Sequence, residues 1–304
     1  MNSDTAGGAD IWGLRPTAAV PLHSAGLPVP WRSSTLDPVD HELSEGWREA
    51  GAAWSWHSQE WATLVEFGNL PVFLDVMDAL NVDDEDHYLD VACGSGMALR
   101  EAARRGSVVS GIDASESLTA IAAERVPSGD IRVGDMGALP WPEDSFDVVT
   151  SFNGIWNVEA ALQEIRRVLR PGGRFAMSFW GDPDKVDLWR AWVPAIMELS
   201  PPEELESSGD LLRIGQPGEA ERLLEGAGLP PGPRRSTLAQ AEFADVELAA
   251  RAFCSSGPAW AAASHSGEET LRARLEELMR AFESPRTGIV RLTNEWAWIT
   301  AGGV

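Results

Sequence analysis

The stretch Leu89-Asp90-Val91-Ala92-Cys93-Gly94-Ser95-Gly96-Met97-Ala98 constrains the chain more than any other. An apolar run passes through a turn of small residues straight into a helical pattern. Such a strand–turn–helix unit belongs to a parallel sheet whose strand ends face a ligand. Gly94 and Gly96 let a ligand approach the backbone closely, and Asp90 sits four residues before Gly94. A phosphate group gains little from an acid there, whereas a ligand with a positive end gains charge-assisted hydrogen bonds. In the glycine fingerprint of dinucleotide enzymes the third position would fall on Leu99, which would crowd the helix against the strand. A nicotinamide enzyme is therefore the reading from a different class, and the weaker one.

The surrounding pattern repeats the unit. His87 to Ala92, Ser107 to Ile112, Ile131 to Val133, Phe146 to Ser151 and Gly173 to Phe179 read as strands separated by helices. The alternation implies right-handed βαβ units. Later in the chain, Asp187 to Leu199, Glu219 to Ala227, Asp245 to Cys254 and Glu268 to Phe282 read as helices. Arg234 to Phe243 and Gly288 to Thr300 read as strands, which suggests a helical cap inserted between late strands. Before the first strand, aromatic and aliphatic residues from His41 to Leu80 recur at three- and four-residue intervals, giving two or three helices. Residues up to Asp40 mix prolines, glycines and polar residues and read as an irregular arm.

An ordered series of acids follows the strands. Asp113 closes the second strand about 20 residues after the loop, the distance at which a carboxylate meets a ribose diol. Asp135 and Met136 follow the third, where an acid can accept from an amino group and a thioether can pack on a ring.

Leu89 to Gly96, Gly111 to Ser115, Gly134 to Leu139, Ser145 to Gly154 and Leu169-Arg170-Pro171-Gly172-Gly173 resemble the successive motifs of class I S-adenosylmethionine-dependent methyltransferases. Phe152-Asn153, the Trp-rich early helix and Ser256 to Pro258 resemble the UbiE-like enzymes of the methyltransferase 11 type. The resemblance implies a Rossmann-like α/β fold, with a mostly parallel sheet whose last strand is antiparallel. It divides the chain into an irregular arm (1–40), a helical lid (41–82), a cofactor-binding core (83–182) and a cap with the last strands (183–304). It also places S-adenosylmethionine as cofactor, with S-adenosylhomocysteine as product. Asp90, Ala92, Cys93, Gly94 and Gly96 would lie near the methionine moiety and Asp113 and Ala114 at the ribose. Asp135 and Met136 would lie at the adenine, Asn153 at the reacting centre, and Trp61 against the cofactor. The sequence departs from the family's common pattern at Ile155-Trp156, where polar or histidine residues are frequent.

Methyl transfer from a sulfonium is an in-line displacement in which alignment and desolvation supply much of the rate, so a base is optional. His57 in the lid and His265 in the cap are the candidate bases. Fourteen tryptophans accompany a single tyrosine, and Trp54, Trp56 and Trp156 are candidates to line an apolar or aromatic substrate pocket. Asp83-Asp84-Glu85-Asp86 lacks metal-ligand spacing and reads as a solvated loop, so no metal is expected.

A net charge of −23 repels phosphate backbones and anionic lipid, which argues against nucleic-acid and membrane partners. The pairs Arg104-Arg105 and Arg166-Arg167 fall where helices should end and complement the dipole there. The N-terminus carries Asp4 and Asp10 in place of a basic segment, no membrane span is evident, and Cys93 and Cys254 form no disulfide framework. Together these point to a cytoplasmic protein with reduced thiols, with a homodimer as the candidate assembly. The expected activity is methylation of a small molecule, a natural-product metabolite on the resemblance. A cyclisation on the same fold and protein methylation are the alternatives.

Overall fold

The computed structural model describes residues 43–156, 158–202 and 213–302. The expected arm at 1–40 lies outside them. Seven strands form one sheet in the order β3-β2-β1-β4-β5-β7-β6. They are β1 (His87–Val91), β2 (Val108–Asp113), β3 (Asp130–Val133), β4 (Phe146–Phe152), β5 (Leu169–Trp180), β6 (Pro231–Phe243) and β7 (Val290–Gly302). All neighbours run parallel except at β7, which is antiparallel to both β5 and β6. From β1 the chain builds outward to β3, then returns to lay β4 on β1's other side. That reversal sets the carboxyl ends of β1 and β4 side by side, the place where a crevice for a ligand is expected in doubly wound sheets.

Alternation along each strand sends side chains into two cores. Leu89, Val91, Val149, Phe175, Met177 and Ile299 pack on one face, under the helices Glu159–Val168 and Glu219–Gly226. Tyr88, Val109, Val148 and Ala176 pack on the other, under α2 (Leu70–Ala79) and α3 (Met97–Arg104). Being covered on both faces is what lets the central strands read as apolar runs.

The packing problem expected at Leu99 has a specific solution. Leu99 is fully buried, and the strand opposite supplies the missing space: a Cβ on Gly111 of β2 would lie 2.6 Å from Leu99 Cδ1. The glycine that allows close helix-to-strand contact has moved from the helix to the strand.

Before β1 the chain is less regular than the periodicity suggests. After α1 (Leu43–Ser55) come a helical turn at Ser58–Glu60, a π-helical stretch at Trp61–Val65 and a 3₁₀ turn at Glu66–Asn69, which runs into α2. His57, at φ 45°, breaks the path between the first two.

The cap consists of two insertions. One follows β5, with Leu188–Ala191 and Val193–Leu199, and the other joins β6 to β7, with Val246–Cys254, Gly257–Ser266 and Glu268–Met279. The single helix expected over 187–199 is interrupted at Trp192, next to Pro194. Gly257–Ser266 escapes sequence reading because its alanines, serines and glycine show no apolar stripe. Lid and cap share a third core, in which Trp192, Ala250, Phe253, Leu271 and Leu275 meet Val65, Trp56 and Trp61.

The acidic run before β1 is not wholly solvated. Asp86 is buried and ion-paired with Arg174, whose guanidinium also reaches the Leu80 carbonyl at 2.5 Å. The arginine pairs do fall at helix ends, with Arg105 on Asp78 at 2.6 Å and Arg167 on Glu164 at 2.6 Å. Among the described residues no helix is long and apolar enough to cross a membrane.

Candidate functional site

The ends of β1 and β4 run into backbone in the left-handed region. Ala92 at φ 60°, Gly94 at 53° and Gly96 at 78° follow β1, and Asn153 at 56° follows β4. Glycine adopts this conformation freely, but alanine does so at a cost that the surrounding structure must over-determine. Gly96 also has no room for a side chain, since a Cβ there would lie 2.8 Å from Ala122 Cβ. Ala92 and Gly154 bring the two strand ends together, a Cβ on Gly154 falling 2.4 Å from Ala92 Cβ.

Asp113 ties the loop to β2. One carboxylate oxygen accepts from Gly94 N–H at 2.8 Å and the other from Ser115 N–H at 2.8 Å, beside Ala114. Cys93 N–H adds a bond to the Ile112 carbonyl at 3.0 Å. Asp135 is placed by its own turn, accepting from Gly137 N–H at 2.8 Å on one oxygen. Met136 beside it packs partly against the core.

Asp90 is almost fully buried, and its carboxylate accepts from Thr150 Oγ1 at 2.7 Å, with the Tyr88 hydroxyl 2.5 Å further along the chain of bonds. Burial, above all, pushes its carboxyl up to about 8, opposed by the Thr150 hydrogen bond and reinforced by the charges of Glu66 and Asp113. Desolvation likewise raises Asp113 and the Cys93 thiol. Asp90 and Glu66 are buried and Asp113 half-buried around one loop, and a cation bound there would draw these carboxyls toward their ionised form.

At the end of β4, Asn153 N–H bonds the Ser178 carbonyl at 2.9 Å and its carbonyl accepts from Trp156 Nε1 at 2.8 Å. Its side-chain oxygen and the Ser151 hydroxyl are buried without a partner. Buried polar atoms are normally hydrogen-bonded, so these two are available to a ligand.

The two histidines are in different surroundings. His57 Nε2 points at the cap, 3.4 Å from Glu268 Oε1, with its ring edge-on to Trp56. His265 is exposed in the last turn of its helix. The tryptophans Trp54, Trp56 and Trp61 lie where lid meets cap. Trp54 and Trp61 meet edge to face at 4.8 Å, Trp56 Nε1 donates to the Cys254 carbonyl at 2.8 Å, and a Cβ on Gly257 would lie 2.7 Å from the Trp54 indole.

Sequence reading overlooked Glu66. It is buried against the glycine loop, accepting from Ser95 N–H at 3.3 Å and from Arg125 at 2.6 Å. No motif marks it, because the contact joins residues 29 apart across the lid.

Residues 89–177 match the model of the methyltransferase domain of the methyltransferase 11 type. The chain is 32% identical over 127 residues to a demethylmenaquinone methyltransferase of Bacillus velezensis, covering 38% of this chain and 54% of that protein. It is 36% identical over 118 residues to one of Paenarthrobacter aurescens, covering 38% and 46%. The chain thus spans about half the length of the curated relatives it matches. Among solved structures it resembles a chain from the complex of the Haloferax volcanii Trm112 methyltransferase activator. That match has a TM-score of 0.51 and 18% identity, over 84% of this chain and 96% of that one. It also resembles the YcgJ protein of Bacillus subtilis, with a TM-score of 0.50 and 15% identity, over 75% and 96%. Residues 89–177, which carry the glycine loop and the ends of β1, β2 and β4, match the methyltransferase 11 family model, and the chain has the fold of class I methyltransferases.

Proposed function

We propose that the chain transfers a methyl group from S-adenosylmethionine to a small-molecule acceptor. The observation that carries this reading is the row of carboxylates Asp90, Asp113 and Asp135 at the ends of three adjacent parallel strands, around a left-handed glycine loop. Its donor set fits the cofactor. Asp90, buried at the end of β1, suits the positively charged end of the ligand, and the lone pairs of Asp113 not used by Gly94 and Ser115 suit a ribose diol. Asp135 keeps one oxygen out of its turn for an adenine amino group, with Met136 beside it.

When bound, the cofactor supplies an electrophilic methyl on a positively charged sulfur. The chain's part is to fix the line of attack and keep water out. Ala92, Gly94 and Gly96 bring backbone close enough to hold the methionine portion. Asn153 Oδ1 and Ser151 Oγ, buried and unpartnered, are the polar atoms left to position the acceptor. The lid residues Trp54, Trp56 and Trp61 and, beside Asn153, Trp156 would give the pocket an apolar, aromatic wall. In this division of labour the described residues within 41–82 would form the lid, those within 83–182 would bind the cofactor, and those within 183–304 would complete the sheet and shape the acceptor site.

The curated relatives are named for methylating demethylmenaquinone, and an aromatic acceptor suits the tryptophans here too. A specialised metabolite suits a pocket whose cap is built outside the shared segment. His57 Nε2 lies 3.4 Å from Glu268 Oε1 without a hydrogen bond, so the imidazole stays a candidate base.

The reading is tested by calorimetric titration with S-adenosylmethionine, S-adenosylhomocysteine and NAD in parallel. Saturable binding of the two adenosyl ligands alone is expected. Binding of NAD alone, or of none of the three, overturns it.

A further inference from the structure

The lid segment 58–69 is built from three short turns of different helical type, none long enough to be stable on its own. It therefore depends on what fastens it to the rest of the molecule. A buried charged fastening lies on the glycine loop. Glu66 comes from the lid, Ser95 from the loop, and Arg125 from the last turn of the helix Glu116–Arg125. Arg125 Nη1 donates to Glu66 Oε2 at 2.6 Å and to the Ser95 carbonyl at 3.1 Å, and Nη2 donates to the Ala62 carbonyl at 2.7 Å. The Ser95 hydroxyl bonds both the Glu66 carboxylate and Arg125. One guanidinium thus holds lid backbone, lid carboxylate and glycine loop at once. Gly94 keeps the approach open, since a Cβ there would lie 3.1 Å from Glu66 Oε1.

Both charges are largely buried, with side-chain exposures of 18% for Arg125 and 7% for Glu66. Separating a buried pair leaves each charge without compensation, so partial opening is disfavoured and the contact is either made or broken. It also sits on the loop that a ligand of the crevice must reach.

We propose that Glu66 and Arg125 are a latch: they hold the lid on the glycine loop, and their opening sets how fast an adenosyl ligand leaves the crevice. They are positioning residues, acting through the lid and the loop. The second half of the proposal rests on the adenosyl reading above, while the first does not.

The test compares the full chain with Glu66→Gln, which keeps shape and an acceptor for Ser95 N–H but loses the charge, and with Arg125→Met. Hydrogen exchange of the ligand-free proteins is followed by mass spectrometry. Amides of 58–69 are expected to exchange roughly tenfold faster in either variant, with those of β1, β2 and β4 unchanged. Release of S-adenosylhomocysteine, followed by stopped flow, is expected to quicken about tenfold with little change in association, the double variant releasing no faster than the single ones. Arg125→Lys keeps the charge without the fork. Should Arg125→Met fail to fold, an intermediate acceleration in Arg125→Lys carries the same test. Wild-type exchange at 58–69 in the variants overturns the latch. Faster exchange with an unchanged release rate overturns its control of the ligand. If the wild type binds no S-adenosylhomocysteine, the proposed function falls, and exchange alone decides the fastening.

Discussion

Burial at the end of β1 leaves Asp90 with one hydrogen bond, from Thr150, and two neighbouring carboxylates in Glu66 and Asp113. Its carboxyl titrates near 8 in the free protein, against about 3.9 in an unfolded chain. Between those values the unfolded chain releases a proton that the folded one keeps, so stability falls as pH rises. Replacing Asp90 with Asn removes that dependence. The melting temperature of Asp90→Asn should draw ahead of wild type progressively from about pH 4 to about pH 8, then hold a constant lead. A difference that does not vary with pH would mean that Asp90 is ionised in the folded protein throughout. The strand-end acids were legible in the sequence because their spacing follows from the strand–loop–helix repeat. Glu66 was not, since nothing local distinguishes the acid that folds back onto the loop from the many that face water.

The lid shows how an element's fate is decided by its neighbour. Gly51 lies in the middle of α1, where alanine would gain about 1 kcal/mol of helix propensity. Yet a Cβ at Gly51 would fall 2.2 Å from the Ala114 carbonyl oxygen, a backbone atom that cannot swing aside. The helix lies this close because Ser55 and Ser115 also meet, hydroxyl to hydroxyl, at 2.9 Å. Gly51→Ala should therefore lower the local stability of α1 by roughly 1–3 kcal/mol, read from hydrogen exchange of its amides. Slower exchange would show propensity winning over contact. Periodicity found helices here and in the cap because tryptophans and leucines recur on one face. It missed Gly257–Ser266, whose helix is held by fit against Trp54 and has no apolar stripe of its own.

Across the whole molecule, a net charge of −23 works against compaction, while many of its ion pairs lie in exposed or half-exposed positions such as Arg132–Asp130 and Arg291–Glu242. Exposed pairs contribute about 0–1 kcal/mol each, so salt should relieve more repulsion than it removes attraction. The melting temperature should rise as ionic strength goes from about 0.01 to 0.15 M, over which the screening length shrinks from about 30 to 8 Å. A fall would mean that local pairs outweigh the global field. The sequence by itself determined the strands, the loop and the acids behind them, because these are local: alternation, small residues and short spacings need no distant partner to be recognised. Only the tertiary structure decided that Gly111 makes room for Leu99, that Glu66 and Arg125 close on Ser95, that His57 turns to Glu268, and that lid and cap share a core. Each of those depends on shape or charge meeting between different elements of the chain, and no one element holds both halves of the contact.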